Sequence, residues 1–126
     1  MSTAAKPSGR YRAYVSDVSY YSGKLEAYLR YAGIDHERIE VNTDILRNTV
    51  LPATGFMKVP AMQCPDGRWL KDTTPMMRWL DQQHGRPSIY PRDPASHFIA
   101  LLVEDYADEW LWRPAMYYRW NFADSH

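Results

Sequence analysis

Apolar positions recur by two in some stretches of this chain and by three and four in others, and the changes of period divide it into elements. Tyr11 to Val15 is a short β-prone run that stops at Ser16-Asp17. After a polar, aromatic loop a helix is predicted from near Ser22. Its apolar stripe is Leu25, Tyr28, Leu29 and Ala32, at i, i+3, i+4 and i+7, and Gly33 ends it as the residue after the cap. From His36 to Val41, Glu37, Ile39 and Val41 alternate with His36, Arg38 and Glu40, the pattern of a half-buried strand. Strand, helix and strand in that order predict a parallel βαβ unit. A short, weakly patterned helix from Thr43 or Asp44 to Leu51 is expected to end at Pro52 and the Ala-Thr-Gly loop.

Two apolar runs follow, Lys58-Val59-Pro60-Ala61-Met62 and Trp69-Leu70, with Pro65-Asp66-Gly67-Arg68 between them. Proline presets φ at the first corner and glycine accepts the positive φ that closes the turn, so the pair reads as a hairpin. The second run leads straight into Asp72-Thr73-Thr74-Pro75, where Thr74 suits an N-cap and Pro75 the first helical position. Met76, Met77, Trp79, Leu80 and Gln83 then trace a helix with one mostly apolar face.

Residues 85–92 hold Gly85, Pro87 and Pro91 and read as a linker after a domain at 11–84, itself preceded by a flexible tail at 1–10. Beyond the linker, Asp93-Pro94 caps a long helix predicted to reach about Trp112. Phe98, Ile99, Leu102, Tyr106 and Trp110 share one face of it, and Glu104, Asp105, Asp108 and Glu109 another. Trp110, Trp112, Tyr117, Tyr118, Trp120 and Phe122 are too many aromatics to leave in water, since exposed patches of that kind associate.

Charge and composition narrow the partners. Fifteen basic and 15 acidic residues cancel among 126, which leaves no electrostatic footprint for nucleic acid or an anionic membrane. The single cysteine, Cys64, excludes an intrachain disulfide and a Cys-x-x-Cys dithiol pair, and fits a reducing, cytoplasmic setting. Residues 1–9 lack the apolar stretch of a signal peptide, and no segment approaches a membrane span. His36, His84, His97 and His126 are scattered without metal-ligand spacing, so no metal is expected.

The chemistry concentrates around the hairpin. A proline inside a strand removes a ladder bond, so Val59-Pro60 predicts an edge, a bulge or a bend whose unpaired backbone groups grip an extended peptide-like ligand. The helix start after Asp72 offers free N–H groups and a positive dipole end to a carboxylate, and Asp72 itself suits an ammonium. The bland alternative is a well-capped helix start.

These residues resemble the N-terminal, thioredoxin-like domain of the glutathione transferase family: Val-Pro at the head of a strand, a glycine turn, then an acidic and a hydroxyl residue opening a helix. The resemblance implies a thioredoxin-like β-α-β-α-β-β-α domain, followed at 93–126 by the first helix of an all-α domain. It implies that Pro60 is cis and that the Val59 backbone pairs with the cysteinyl part of glutathione. Asp72 and Thr73 would hold the γ-glutamyl end, with Asp and Thr standing where the family more often has Glu and Ser. Lys58 is within reach of the glycyl carboxylate, or is an ordinary surface lysine.

In the family, a Tyr, Ser or Cys between the first strand and first helix ionises the glutathione thiol, whose free pKa is about 8.5 or higher. Ser19 falls at that place. The proline that usually follows is Tyr20 here, and Tyr14, Tyr20 and Tyr21 remain alternatives. The absence of cysteine from the Ser16–Ser22 loop disfavours a cysteine-dependent reductase. Cys64 has no histidine nearby in sequence to deprotonate it.

Glutathione is thus expected as co-substrate, with an unidentified electrophile as the other reactant; the alternative is a non-catalytic interaction module of the same fold. The family's second domain continues for several more helices, so a homodimer partner or a missing helical domain is expected to cover the aromatic tail. For Asp105 and Asp108 a solvated face is preferred over a role at a partner's glutathione.

Overall fold

The computed structural model describes residues 9–84 and 88–122. The expected tail up to residue 8, residues 85–87 of the expected linker and residues 123–126 lie outside them. The described residues fall into two units, 9–84 and 88–122.

In the first unit four strands form one sheet in the order β2-β1-β3-β4. Strand β1 (Tyr11–Val15) runs parallel to β2 (His36–Glu40), with Tyr11 opposite His36 and Val15 opposite Glu40. On its other side β1 pairs antiparallel with β3 (Ala61–Gln63), which pairs antiparallel with β4 (Trp69–Lys71). The β1–β2 crossover is helix α1 (Tyr20–Tyr31), and helix α4 (Thr73–His84) follows β4. This is the thioredoxin-like β-α-β-α-β-β-α order expected from the sequence.

Helix α1 starts earlier than the apolar stripe predicts. Ser19, not a residue near Ser22, is the N-cap, and its Oγ accepts the Ser22 N–H at 3.1 Å. Ser22 is fully buried inside the first turn, where its own Oγ accepts the Ser16 N–H at 3.1 Å. The far end closes as expected. Gly33 takes φ 63°, its N–H reaches the Arg30 carbonyl and that of Ile34 the Leu29 carbonyl, the paired bonds of a Schellman stop.

The second helical stretch does not end at Pro52. Helix α2 (Thr43–Ile45) passes into a π segment, Leu46–Val50, and resumes as α3 (Leu51–Thr54). Because a new α turn starts at Leu51, Pro52 occupies a first-turn position where no N–H is required. Gly55, at φ 80°, is the actual terminator.

The hairpin is shorter than its apolar runs. Strand β3 begins only after the cis Val59–Pro60 bond, and Lys58, Val59 and Pro60 lie outside the ladder. Likewise α4 begins at Thr73, with Asp72 at φ 67° just before it. Thr74 is therefore helical rather than the cap, and Pro75 still falls in the first turn.

The core lies on both faces of the sheet, since successive strand residues point opposite ways. Tyr14 and Ala61 pack with Val50, flanked by Ile39, Val41, Ile45, Leu46 and Trp69. Ala13, Val15 and Met62 are buried on the other face, and Leu25, Leu29, Met76 and Leu80 of α1 and α4 are buried with no more than 1% exposure.

The second unit is helical. Asp93 caps α5 (Pro94–Tyr106), accepting the Ser96 N–H at 2.8 Å. A π segment, Ala107–Leu111, leads into α6 (Trp112–Trp120). The expected end near Trp112 is overrun because Pro114 again sits in the first turn of a restarted α-helix. No residue of these three segments is buried.

Candidate functional site

Strand register decides which of the predicted residues meet. Tyr14, Ala61 and Lys71 lie opposite one another across β1, β3 and β4. Val15 and Ser16 follow Tyr14, Pro60 and Val59 precede Ala61, and Asp72 and Thr73 follow Lys71, so the chain leaves the ladder at the same end in all three places. The β1–α1 loop, the Val59–Pro60 bend and the start of α4 therefore emerge together at one end of the sheet. With strands about 4.8 Å apart, the row from β1 to β4 spans about 10 Å, the length of an extended tripeptide.

Each part of this end offers a different grip. Neither the N–H nor the C=O of Val59 makes a backbone hydrogen bond to the described residues, so both are open to an extended ligand. Asp72 is exposed, and the left-handed backbone there turns the chain directly into α4. The first-turn N–H groups of α4 carry the positive end of its dipole. Thr73 is buried at 4% exposure, and the Thr74 hydroxyl accepts from Lys24 Nζ of α1 at 3.2 Å. Lys58 is exposed, one residue before Val59.

Ser19 is half-buried at the N-terminus of α1. Its oxygen is engaged as a cap, but a hydroxyl that accepts still has its proton to donate. Tyr20 and Tyr21 occupy the first turn, ring to edge at 5.4 Å. Tyr14 is elsewhere: its ring packs 4.9 Å from Trp69 within the core cluster. Asp105 and Asp108 belong to the other unit.

Two groups at this end escaped the sequence reading. Lys71 Nζ donates to the Thr54 carbonyl at 3.0 Å and stands 4.1 Å over the Phe56 ring, fastening the segment before Lys58 to β4. Lys24 brings a cation to the start of α4. Neither pairing has a local signature, because the partners lie 17 and 50 residues apart.

Cys64 lies at the opposite end of the sheet, past Gln63, buried at 3% exposure, and that burial pushes its thiol pKa up. Near it Tyr11 Oη and His84 Nε2 are 3.1 Å apart and Arg68 pairs with Asp66 at 2.6 Å. A raised pKa leaves little thiolate, the opposite of what a nucleophilic cysteine needs. No three His, Cys, Asp or Glu side chains among the described residues group as metal ligands. No helix of the described residues is long and apolar enough to cross a membrane.

The family profile described as "Glutathione S-transferase, N-terminal domain" matches residues 18–83, just over half of the chain. Solved structures share the fold. A glutathione S-transferase of Methylobacterium radiotolerans, in complex with glutathione sulfonate, is 26% identical, with a TM-score of 0.70 over 79% of this chain and 47% of its own. The Tau class enzyme of mango, Mangifera indica, is 22% identical, with a TM-score of 0.72 over 83% and 48%. Ure2p in complex with glutathione is 14% identical, with a TM-score of 0.74 over 94% and 54%. At such identities the last two speak for the fold alone. The chain spans about half the length of these proteins. No curated protein matches it in sequence.

Proposed function

Because the chain belongs to the glutathione S-transferase family through its N-terminal domain, we propose that it binds reduced glutathione across the end of its sheet and directs the thiolate at an electrophile. The observation that carries this reading is the convergence of three grips on one end of the sheet. The Val59 backbone takes the cysteinyl amide. Asp72 takes the γ-glutamyl ammonium, and Thr73 with the α4 N-terminus takes its carboxylate. Lys58 reaches the glycyl carboxylate.

Ser19 donates its hydroxyl proton as a hydrogen bond to the sulfur, at the positive end of α1, and lowers the thiol pKa. The thiol proton leaves to solvent, and the sulfur forms the new bond to the electrophilic atom as a leaving group departs with its electron pair or, in an addition, as the broken π bond takes up a proton from solvent. Glutathione is a co-substrate here, and the reducing cytoplasm that supplies it fits a chain whose cysteine is free.

The second reading is an interaction module on the same fold, in which the sheet end binds glutathione weakly or not at all. What favours it is the apolar surface of the second unit, where Phe98, Leu102, Tyr106 and Trp110 are each more than half exposed. In the catalytic reading that surface is covered by a second copy in a homodimer or by further helices.

Calorimetric titration with reduced glutathione, on the wild type and Asp72→Ala, separates the two. A charged hydrogen bond contributes about 1.5–3 kcal/mol, so the variant is expected to bind roughly ten- to hundredfold more weakly. Ser19→Ala should retain binding and lose the thiolate absorbance of bound glutathione. No binding by the folded wild type would leave the interaction module.

A further inference from the structure

We propose that Arg38 and Glu40 of the edge strand β2 are positioning residues for Ser19, holding the β1–α1 loop so that its hydroxyl meets the glutathione sulfur. The proposal rests on the role given to Ser19 above.

The loop from Ser16 to Ser19 is pinned almost atom by atom. From within α1, Ser22 Oγ accepts the Ser16 N–H and the Ser22 N–H bonds to Ser19 Oγ, while the Ser19 N–H returns to the Ser16 carbonyl at 2.9 Å. Further holds come from β2. Glu40 Oε1 accepts the Asp17 N–H at 3.1 Å. Arg38 binds the same Glu40 at 3.0 Å, Glu26 of α1 at 2.6 Å and the Asp17 carboxylate. One guanidinium thus ties together the strand, the loop and the helix that present Ser19. These bonds hold the Glu40 carboxyl below its ordinary range, first through the Asp17 N–H and then through Arg38, so it stays ionised at neutral pH.

An ion pair that joins β1 to β2 makes the contrast. Arg12 and Glu37 meet at 3.0 Å, each about half exposed, and neither bonds to the loop. If Arg38 and Glu40 served only as surface charges on β2, losing either pair would have the same consequence. Solvent-facing pairs contribute little to stability individually; what distinguishes Glu40 is that it fixes the Asp17 backbone N–H, two residues before Ser19, and pairs with the Arg38 that holds the Asp17 carboxylate.

The test compares Glu40→Ala, Glu40→Gln and Glu37→Ala in the full chain. It reads the pH midpoint of thiolate absorbance on bound glutathione, the dissociation constant, and hydrogen-exchange protection of the Ser22 amide in the ligand-free protein. Glu40→Ala is expected to raise the midpoint by about one pH unit, roughly a tenfold loss of thiolate at neutral pH. The dissociation constant should stay within about threefold, since no ligand contact is removed. Ser22 protection should fall. Glu40→Gln should recover much of the loss because its amide oxygen still accepts the Asp17 N–H, and Glu37→Ala should change neither readout.

An unmoved midpoint and unchanged Ser22 protection in Glu40→Ala would overturn the proposal, as would equal shifts in Glu37→Ala. Failure of the wild type to bind glutathione is a different result. It removes the proposed function, and Ser22 protection alone then decides whether Glu40 holds the loop.

Discussion

The stretches 43–54 and 94–120 each interrupt α-helix with a five-residue π segment and resume it with a proline in the new first turn. Their local construction is alike, and what they bury is not. The π segment 46–50 carries Val50, fully buried, into contact with Tyr14 and Ala61, so a sheet face covers the stretch. The π segment 107–111 leaves Trp110 61% and Leu111 40% exposed. Caps, restarts and prolines therefore set where these helices run, while burial determines which side chains carry stability. In the first unit both agree, and in the second only the local half is present among the described residues.

The sharpest test of that contrast is a pair of leucine truncations. Leu29 is fully buried on α1 and Leu102 is 53% exposed on α5. Leu29→Ala should cost about 2–5 kcal/mol in urea denaturation, the range for a buried leucine with partial collapse of its cavity. Leu102→Ala should cost under about 1 kcal/mol, since little of its surface leaves water on folding. A Leu102→Ala penalty comparable to that of Leu29→Ala would break the comparison and mean that the α5 face is covered in solution. If a second copy does the covering, the penalty will grow with protein concentration.

The first unit was legible because its signals are local and mutually consistent. The i, i+3, i+4 stripe ending at Gly33 marks α1, the alternation around Ile39 marks β2, and the Pro-Asp-Gly turn marks the hairpin. The boundaries were less legible wherever a side chain or a proline had two outlets. Ser19 and Ser22 are both plausible caps, and only the fold shows that Ser22 faces inward to the Ser16 amide. Pro52 suggests a helix end to a rule that assumes unbroken i→i−4 bonding, whereas a π segment restarts the helix and makes the proline harmless, as the restart before Pro114 does in the second unit. At the candidate site, Val59, Pro60, Asp72 and Thr73 were singled out through the family resemblance, and the register explains why they emerge at the same end of the sheet. The hold of Glu40 on Asp17 was invisible, because 23 residues separate them and the parallel β1–β2 pairing brings them together.

A smaller effect separates how helices end in the two units. Helix α1 stops on a left-handed glycine, Gly33, and α6 on Asn121 at φ −95°, an ordinary right-handed conformation. A Cβ at Gly33 would meet nothing within 4 Å, so Gly33→Ala isolates the backbone cost of the left-handed conformation, about 1–2 kcal/mol. Asn121→Ala demands no such conformation and should be nearly neutral. Equal losses in the two variants, measured by denaturation, would show that the Schellman stop contributes nothing particular to α1.

The smallest effect lies in the caps at the other ends, where α1 and α5 use the same geometry with different chemistry. Ser19 and Asp93 each accept the N–H three residues on, from Ser22 and Ser96. The Asp93 carboxyl is held below its usual range, chiefly by the Ser96 backbone N–H. The unfolded chain titrates at about 3.9, so the contribution of this cap is complete above that pH and is lost as pH falls through the lower, folded value. A hydroxyl has no titration there. Acidification through the folded value should therefore lower the exchange protection of the Ser96 amide by up to roughly fivefold, the measure of a lost N-cap, while Ser22 stays protected as long as the first unit remains folded. Parallel loss at Ser96 and Ser22 would mean that acid unfolds the chain as a whole, and the two units would then not differ in how their helices are held. Protection lost at Ser96 alone would show a charged cap holding an unburied helix and a hydroxyl cap holding a buried one, which ties the choice of cap to what lies behind the helix.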